Sequence, residues 1–355
     1  MEPFDYHNTT WFSAEDQDRR WEAYKQYYTE YQHRLRQTNL EYYVVYTTTN
    51  SGLANKLNGL VSSLLVAMVT DRGLLLDDWA SFDSYFDLHL DGHHYDYNSS
   101  FSKGSPLKIW RRCIEAKRLK KGYINRQFGE KNINVITNCP LFASLAKNDL
   151  YYDAFVSRGL VRTAKRGDYS AISEDIYHRL LNFFSLSPYL ESRLLNITET
   201  WSDRYVIGMQ IRVGLGNSAF LDNCKFLFMD DIETFIHYAE YFTNRTSLQP
   251  LWFISTDSPS VESMFSERYG NITFFLSDLP MMHTKILAYN FNEPAVNRAI
   301  LDNYLLSQSD LLITTAWSSF GEMAVGRMAK GETIMITRGD SIVDPPPVVS
   351  FNREE

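Results

Sequence analysis

The 355-residue sequence has few cysteines, no surplus of positive charge and no long apolar run. Three cysteines exclude a small domain that is held together by disulfides. With 35 Lys and Arg against 43 Asp and Glu, the net charge of −8 argues against a protein that wraps a nucleic-acid backbone. No stretch approaches the roughly 18–20 apolar residues of a membrane helix. The start of the chain, Met1–Asp5, does not have the pattern of a signal peptide.

The remaining composition is typical of a folded protein with more than one domain. Hydrophobic residues make up 44% and charged residues 22%, which excludes long disordered segments. The length predicts about two domains of ordinary size. An aromatic share of 15% allows large cores or stacking surfaces. The stacking candidates are Trp79, Trp110, Trp201 and Trp317.

The number of N-glycosylation sequons (Asn-x-Ser/Thr) bears on the cellular compartment of the protein. The chain has five, at Asn8, Asn98, Asn196, Asn244 and Asn271. About three would occur by chance at this Asn, Ser and Thr content, so the excess favours a secretory lumen. We therefore expect a compartment of the secretory pathway, with the membrane anchor absent from this chain; the family resemblance described below narrows this expectation to the Golgi lumen.

The first regular pattern along the chain predicts a β–loop–α–β unit. A polar helix is expected on the surface over residues 11–38. β-Branched and aromatic residues then predict a strand over 42–46, and apolar residues at helical spacing predict an amphipathic helix over 57–68. A buried strand is expected at 74–76. The loop between the first strand and the helix contains a glycine.

From residue 204 onward, the pattern alternates regularly between strands and helices. Helices are expected between the predicted strands, which lie near 205–211, 251–254, 272–275, 311–314 and 333–336. This alternation predicts a doubly wound parallel sheet. Residues 80–200 have few clean periods, and we expect mostly helices and loops there.

We therefore predict an α/β protein with two open α/β domains that face a cleft. The N-terminal domain is expected over 1–200 and the C-terminal domain over 201–345, with a tail at 346–355 after the proline run Pro345–Pro347. Ligands of such sheets bind at the carboxyl ends of the strands, so the residues that follow strands are the site candidates.

Three segments near the ends of strands are candidates for binding an anion. The turn Gly52–Lys56 is either a plain tight turn or a place where an anion meets a helix N-terminus. Arg212 ends a buried strand, where it either clamps a phosphate or forms a structural ion pair. Gly214-Leu215-Gly216 is half of a dinucleotide fingerprint, but the third glycine is missing.

Polar residues near the later strands are further candidates. The segment Asp257–Pro259 predicts a helix start, and the Asp carboxylate is alternatively able to recognise guanine. Asp302 follows Arg298 by four residues, which is typical of an ion pair on a helix. Ser319 and Glu322 fit a capping box, and the same turn offers hydroxyls and free amides to a diphosphate.

Metal-ligand patterns are poor. A group of His and Asp residues lies in an irregular segment without a partner motif: His89, Asp91, His93, His94 and Asp96. The Asp pairs at 77–78 and 230–231 do not form the Asp-x-Asp of metal-dependent sugar transferases. Asp16–Asp18 has that spacing, but within a polar helix. The sequence therefore predicts no metal site.

Segments from both halves of the chain resemble GDP-fucose-dependent fucosyltransferases. Ser51–Leu57, followed by Leu64–Asp77, is similar to the "GLGNR…LLALLTDRVLLVD" segment of the plant cell-wall (xyloglucan-type) fucosyltransferases. Gln210–Arg212 also resembles that plant family more than it resembles the His-x-Arg-Arg motif of the alpha-1,6-fucosyltransferases. Three segments resemble elements of the alpha-1,6-fucosyltransferases, namely Phe253–Ser260, Ile300–Asp310 and Trp317–Gly321. The resemblance covers residues 42–90 and 204–330.

The resemblance implies a GT-B-like architecture of two Rossmann-like domains, inversion at the sugar carbon and no metal. It implies that Arg212 is the catalytic cation on the β-phosphate and that Asp302 lies near guanine. Ser318 and Ser319 would contact the donor. The other residues expected to bind the donor are Gly52, Asn55, Lys56, Gln210, Asp257 and Phe320.

Three positions depart from the family patterns. Val213 stands where the alpha-1,6 enzymes have the second Arg of a His-x-Arg-Arg motif, and Leu215 stands where they have an Asp. Ala54 replaces the second glycine of the plant pattern. The glutamate that serves as base in the alpha-1,6 enzymes has no counterpart, so the resemblance assigns no base.

The expected function is the transfer of fucose from GDP-fucose to a hydroxyl of a glycan, a galactose-containing oligosaccharide or polysaccharide. A protein O-fucosyltransferase and a non-catalytic GDP-sugar- or glycan-binding protein are the alternatives. Another GDP-sugar, such as a mannose donor, stays open, as does a homodimer. We expect no cofactor, no nucleic acid and no membrane segment in this chain.

Overall fold

A computed structural model describes residues 13–37, 42–77, 79, 81–90, 92–95, 105–109, 119–124, 126, 132–215, 224–282 and 293–353. The chain divides into two compact units. The N-terminal unit comprises Met1–Ser51 and Asn55–Ser187, and the C-terminal unit comprises Gly52–Ala54 and Pro188–Glu355. Several residues named above lie outside the described residues: Asn8, Asp78, Asp91, Asp96, Asn98, Trp110 and Gly216.

The N-terminal unit contains a parallel sheet in the strand order β2-β1-β5-β4. Its strands are β1 (Tyr43–Thr47), β2 (Gly73–Asp77), β4 (Ser105–Ile109) and β5 (Ile133–Thr137). A separate short pair joins β3 (Phe86–Asp87) to β6 (Ser185–Leu186). The helices of this unit are α1 (Ala14–Arg36), α2 (Leu53–Val69), α3 (Phe142–Leu145), α4 (Tyr152–Ser157) and α5 (Tyr169–Leu181), with a 3-10 turn at Phe82–Ser84.

The two predicted strands of this unit are confirmed as β1 and β2, but β4 and β5 correct the expectation of mostly helices and loops over 80–200. β5 reads Ile133-Asn134-Val135-Ile136-Thr137, and most of it is buried. A parallel strand is covered on both faces and therefore shows no alternation of polar and apolar residues. A short run of this kind, interrupted by an Asn, gives no periodic signal.

The predicted amphipathic helix is confirmed as α2, but its polar side is buried as well. Asn58 accepts a hydrogen bond from the Tyr177 hydroxyl at 2.6 Å, and Ser62 donates to the Cys139 carbonyl at 3.0 Å. Gly59 fits against the Tyr46 ring, because an added Cβ would approach the Tyr46 hydroxyl to 2.4 Å. The polar side chains of α2 therefore join this helix to neighbouring elements.

The predicted surface helix is confirmed as α1, and one of its faces is buried against the edge of the sheet. Trp21, Tyr24 and Tyr28 lie on this face, each almost fully buried. The Gln32 amide donates to the Leu74 carbonyl and accepts from the Leu74 amide, both at 2.9 Å. Gln32 thus pairs with the edge strand β2 as another strand would, which removes an exposed strand edge.

The C-terminal unit contains a six-stranded sheet in the order β12-β11-β10-β7-β8-β9. Its strands are β7 (Arg204–Ile211), β8 (Gln249–Thr256), β9 (Thr273–Phe274), β10 (Leu311–Thr315), β11 (Lys330–Ile336) and β12 (Val349–Asn352). Its helices are α6 (Pro188–Thr198), α7 (Ile232–Thr243), α8 (Pro259–Tyr269), α9 (Glu293–Leu306) and α10 (Ser319–Arg327), with a 3-10 turn at Glu199–Trp201.

The predicted alternation of strands and helices after residue 204 is confirmed, and β7 to β11 are all parallel. The core around β7 and β8 is built from fully buried side chains such as Met209, Trp252 and Phe235. The sequence placed the end of the fold at the proline run. Instead, β12 follows the prolines and pairs antiparallel with β11. Within the described residues, no helix is both long enough and apolar enough to cross a membrane.

Candidate functional site

The topology of the C-terminal sheet selects the place where a ligand would bind. From β7, the chain first builds β8 and β9 on one side, and it later adds β10 and β11 on the other side. The direction of winding therefore reverses between β7 and β10. In open α/β sheets, ligands bind beyond the carboxyl ends of the strands at such a switch point. The residues that follow β7 and β10 begin at Arg212 and Ala316.

A threonine ties the two strand ends together at the switch point. The Thr315 hydroxyl accepts from the Arg212 backbone N–H at 2.9 Å and donates to the Gln210 carbonyl at 3.0 Å. Thr315 is buried. Because one hydroxyl makes both bonds, the backbone on both sides of Ile211 is fixed relative to β10.

The Arg212 side chain is half-buried and lies over an aromatic ring. Its guanidinium carbon is 5.1 Å from the centroid of the Phe226 ring, a distance at which cation and ring attract each other. This position over the ring limits the orientations of the guanidinium. Arg212 thus brings a fixed positive charge to the end of β7.

Asp257, at the end of β8, holds the loop that follows Arg212. One carboxylate oxygen accepts from the Val213 N–H at 2.9 Å and the other accepts from the Gly214 N–H at 3.1 Å. Gly214 has a φ of +74°, and an added Cβ would lie 2.3 Å from the Cys224 carbonyl oxygen. Both oxygens of the buried Asp257 are therefore engaged by the protein backbone. The predicted helix start is confirmed, with Ser258 as the N-cap residue and Pro259 at the first turn of α8.

Asp302, on α9, is a buried carboxyl group with one engaged and one open oxygen. Ser255 donates to its Oδ2 at 3.0 Å, and Arg298 Nε lies 3.8 Å from the same oxygen, so the predicted ion pair is confirmed. Oδ1 has no hydrogen-bond partner among the described residues. Burial raises the pKa of Asp302 to about 7, although Arg298 opposes this shift. Asp302 is therefore a hydrogen-bond acceptor whose protonated and ionised forms are both populated near neutral pH.

The N-terminus of α10 presents polar groups at the end of β10. Ser318 is the N-cap residue and is buried, but its Oγ makes no hydrogen bond within the described part of the chain. The predicted capping box of Ser319 and Glu322 is wrong, because the cap falls one residue earlier and no side chain bonds to the first turn. The first amides of a helix have no partner inside it, so they remain available to an anion.

Two more of the predicted residues adjoin this helix start. Gln210 is buried, and its Oε1 has no hydrogen-bond partner among the described residues. An added Cβ on Gly321 would lie 2.7 Å from this oxygen, so the Gln210 side chain borders the first turn of α10. The Phe320 carbonyl accepts from the Asn303 amide at 2.8 Å, which joins α10 to α9 next to Asp302.

The sequence did not single out the residues that connect these groups. Thr315, Ser255 and Asn303 make the bonds that fix Arg212, Asp302 and α10, yet each is an ordinary polar residue in its sequence context. Thr315 is the last residue of β10, and Ser255 is the last but one of β8. Their position at the carboxyl ends of parallel strands was the signal that could have identified them.

The remaining predicted residues lie at the start of α2. Asn55 and Lys56 are half-buried in the N-terminal unit, and Gly52 precedes the helix. The Lys56 ammonium lies 5.9 Å from the centroid of the Trp79 ring, and the Lys56 carbonyl accepts from the Tyr46 hydroxyl at 2.8 Å. The first turn of α2 is thus joined to β1.

Among the described residues, one group has the composition of a metal site: Asp83, His93 and His94. Its ligand atoms lie within 4.8 Å of one another. The sequence pointed to the two histidines but missed Asp83, which lies on the 3-10 turn at Phe82–Ser84. This group belongs to the N-terminal unit.

Comparison with known proteins gives matches only among solved structures. No family model matches the sequence, and no curated protein matches it either. NodZ, an alpha-1,6-fucosyltransferase soaked with GDP-fucose, has a TM-score of 0.54 and 16% identity, over 88% of this chain and 99% of its own. A NodZ structure from Bradyrhizobium gives a TM-score of 0.53.

The second match is a plant enzyme. A variant of Arabidopsis thaliana FUT1 in complex with GDP has a TM-score of 0.55 and 18% identity. The match covers 95% of this chain and 82% of that chain. At such identities, the likeness establishes a common fold. The chain therefore has the GT-B-like, Rossmann-type α/β fold of the fucosyltransferases NodZ and FUT1, as the sequence predicted.

Proposed function

We propose that the chain transfers fucose from GDP-fucose to a hydroxyl group of a glycan. The observation that carries the proposal is the set of groups at the switch point, which consists of Arg212, the open start of α10 and the buried Asp302. They match the three parts of a nucleotide-sugar leaving group, which are two phosphates and a base. The shared fold with structures containing GDP-fucose or GDP supports this choice of donor.

The leaving diphosphate determines what the protein must supply. When the bond between sugar and phosphate breaks, negative charge develops on the β-phosphate. A fixed guanidinium and helix-terminal amides stabilise this charge without having to reorganise. We assign Arg212 to the β-phosphate, and the Ser318 hydroxyl with the amides of Ser319 and Phe320 to the remaining diphosphate oxygens. The stacking of Arg212 on Phe226 keeps its charge in position during the reaction.

We assign Asp302 to the guanine base. Guanine presents two N–H donors side by side, and a carboxylate is the acceptor that matches them. Asp302 Oδ1 is buried and has no partner within the described residues, while Ser255 holds the other oxygen. A buried acceptor without a partner is costly, so a ligand that donates to it gains binding free energy.

We propose that the reaction inverts the sugar carbon and needs no metal. In a single displacement, the acceptor hydroxyl attacks from the face opposite the diphosphate, and its proton leaves late to a carboxylate or to water. Arg212 and the start of α10 would provide the positive electrostatic potential that a divalent cation otherwise provides. Activity that survives excess EDTA is the corresponding test.

The acceptor separates this proposal from its closest alternative. We propose a galactose-containing glycan, whereas a protein O-fucosyltransferase would need a folded protein domain. An array of glycans and folded domains, incubated with GDP-fucose and read by mass spectrometry with linkage analysis, distinguishes them. Transfer to glycans alone supports the proposal. Transfer to folded domains alone favours the alternative.

A non-catalytic sugar-binding protein is the second alternative. Such a protein would bind GDP and glycans but would release no GDP from GDP-fucose, with or without acceptors. Trp317 is the exposed aromatic at the switch point that such binding would use, since it is 80% exposed and lies directly before Ser318. GDP binding without turnover across the whole array would favour this function over the transferase.

We propose that the protein acts in the Golgi lumen or another secretory compartment. Three sequon asparagines among the described residues are exposed, namely Asn196, Asn244 and Asn271. Cys139 is disulfide-bonded, and disulfides persist in oxidising compartments. Digestion of the protein from a eukaryotic secretory host with a glycosidase specific for N-glycans would test this. A mobility shift that the three Asn→Gln substitutions reduce is the expected result.

A further inference from the structure

The Asp83, His93 and His94 side chains converge on one point in the N-terminal unit. Asp83 Oδ1 is 2.9 Å from His93 Nε2, and Asp83 Oδ2 is 2.6 Å from His94 Nε2. We propose that these three residues form a binding site for a divalent transition metal ion, with Zn²⁺ as the ion that the donor set favours. All three residues belong to the N-terminal unit, and none of them is among the groups described at the switch point.

The hydrogen bond on the far side of His93 fixes which nitrogen faces Asp83. His93 Nδ1 is 2.7 Å from the Leu90 carbonyl oxygen. A carbonyl only accepts, so Nδ1 carries the proton and Nε2 is the ring nitrogen left to meet Asp83. Nε2 lies 2.9 Å from Asp83 Oδ1, and a carboxylate oxygen is an acceptor. This contact needs a positive centre between the two atoms, either a proton or a metal ion, and a metal ion would engage His94 at the same time.

The hydrogen bond from His93 Nδ1 to the Leu90 carbonyl is of the kind that metal-bound histidines make. A histidine that binds a metal through one nitrogen usually donates its other N–H to a carbonyl or carboxylate, which fixes the ring and its tautomer. Leu90 provides this carbonyl for His93. The site thus includes the outer partner of one ligand before any ion is bound.

The ligands are carried by segments that the fold holds in place. The Leu76 N–H donates to the His93 carbonyl at 2.5 Å, and the Tyr95 N–H donates to the Leu76 carbonyl at 2.8 Å. The histidines are therefore paired to β2. Phe82, which precedes Asp83, is fully buried, and its ring meets the His93 ring edge to face with centroids 6.0 Å apart. Preorganised ligands of this kind lose little entropy when an ion binds.

The donor set and the exposure indicate the type of ion and the type of site. Two imidazoles and one carboxylate are the protein ligands of zinc sites that keep a fourth position for water. Zn²⁺ holds such ligands at about 2.0–2.2 Å, which separates neighbouring ligand atoms by roughly 3.4 Å. The contacts of His93 and His94 with Asp83, at 2.9 and 2.6 Å, are shorter than this by less than 1 Å. The Asp83 side chain is 53% exposed and that of His94 is 43% exposed, which leaves room for water.

The test is a direct titration of the whole chain after chelator treatment and dialysis. Calorimetry with Zn²⁺ should show one equivalent bound, and Co²⁺ should give the intense visible absorption of a four-coordinate site. Asp83→Asn and His94→Ala should each lower the Zn²⁺ affinity by about 10-fold or more, since each removes a ligand. His33→Ala, at an exposed histidine of α1, should bind as the unsubstituted chain does.

A second readout on the unsubstituted chain covers the case in which a variant does not fold. Zn²⁺ should raise the melting temperature and protect His93 and His94, located by mass spectrometry, from diethyl pyrocarbonate. Absence of stoichiometric Zn²⁺ uptake at neutral pH would overturn the proposal and leave His93 and His94 as hydrogen-bond partners of Asp83. Unchanged affinity in both ligand variants would overturn it as well. Neither outcome bears on the transfer of fucose.

Discussion

Two charged residues of the C-terminal unit lie in contrasting surroundings. Arg212 is half-buried and stacked on Phe226, so its charge stays partly hydrated while its position is limited. Asp302 is buried, and its pKa rises to about 7 because burial disfavours the carboxylate. The first residue is suited to meet a highly charged diphosphate. The second is suited to accept hydrogen bonds from a neutral base.

Arg212→Ala should lower the rate of transfer from GDP-fucose by about 10²-fold or more, the scale of losing one fixed group that stabilises developing charge. Arg212→Lys should restore part of the rate, since it keeps the charge but loses the planar fork. The measurement is kcat from GDP release at saturating donor. Arg245→Ala, at an arginine stacked on Tyr241 next to α7, is the control and should keep the original rate. A near-normal rate for Arg212→Ala would contradict the role assigned to Arg212.

Asp302 should make the stability of its unit depend on pH. Its raised pKa means that between about pH 4 and pH 7 the folded chain keeps a proton that the unfolded chain has lost. The unfolding free energy should therefore fall as the pH rises through this window, by an amount on the order of 2–4 kcal/mol. Asp302→Asn has no carboxylate, so its denaturant midpoint should change less between these pH values. If the stability of both proteins depended equally on pH, the buried environment of the Asp302 carboxyl would be contradicted.

The same substitution should also weaken the binding of the nucleotide. Asn offers one acceptor oxygen without charge, so Asp302→Asn should lower the affinity for GDP by about 10–100-fold, the scale of losing a charged hydrogen bond. Calorimetric titration with GDP at neutral pH is the measurement, and Arg245→Ala again provides the control. Unchanged affinity for GDP would place the base elsewhere.

At the scale of elements, the short loop after β7 depends on β8 for its shape. Asp257, at the end of β8, accepts from two successive backbone N–H groups of this loop. A carboxylate bound to two amides in this way positions the loop that directly follows Arg212. If Arg212 has the role we propose, Asp257 acts as a positioning residue for it.

Asp257→Ala should destabilise the C-terminal unit by about 1–3 kcal/mol, because it leaves two backbone donors unpaired in a buried place. It should also lower kcat more than it raises KM, since the loop supports the transition state more than it supports binding. Asp257→Asn keeps one acceptor oxygen, so its stability and its kcat should lie between those of the unsubstituted chain and those of Asp257→Ala. A variant that loses stability but keeps kcat would show that Asp257 is merely structural.

The sequence predicted the C-terminal elements better than the N-terminal ones, and the reason is physical. β7, β8 and β10 are apolar runs that are separated by well-formed helical patterns, so their positions could be assigned. β4 and β5 lack such spacing, and β12 is a largely exposed edge strand whose pairing is a long-range event. The start of α10 shows the same limit, because the position of its cap is set by Ser318 after the turn at Trp317, which has a φ of +63°.

At the scale of the whole molecule, the chain has the fold of two fucosyltransferases at 16–18% identity. The candidate site was partly predictable, because residues that end parallel strands can be listed from the sequence. The bonds of Thr315, Ser255 and Asn303 were not, since they join residues that are distant in the sequence. Asp83 was missed for the same reason, because it meets His93 and His94 only in the folded unit.

Metal removal should separate the two sites that we propose. Under the proposed mechanism, excess EDTA should leave the rate of fucose transfer within about twofold of the untreated rate, because Arg212 and helix amides would stabilise the diphosphate. The same treatment should lower the melting temperature if Zn²⁺ occupies the site at Asp83, and Asp83→Asn should melt alike with and without EDTA. Loss of transfer in EDTA that Mg²⁺ or Mn²⁺ restores, in the original chain and in Asp83→Asn alike, would contradict metal-independent transfer.

The most direct test of the central proposal is the release of GDP from a panel of GDP-sugars by the purified chain, with and without a pooled set of glycan acceptors. The account predicts that GDP-fucose is turned over faster than GDP-mannose and that the rate rises when galactose-containing glycans are present. Binding of GDP without its release from any GDP-sugar, in the presence of every acceptor, would contradict it.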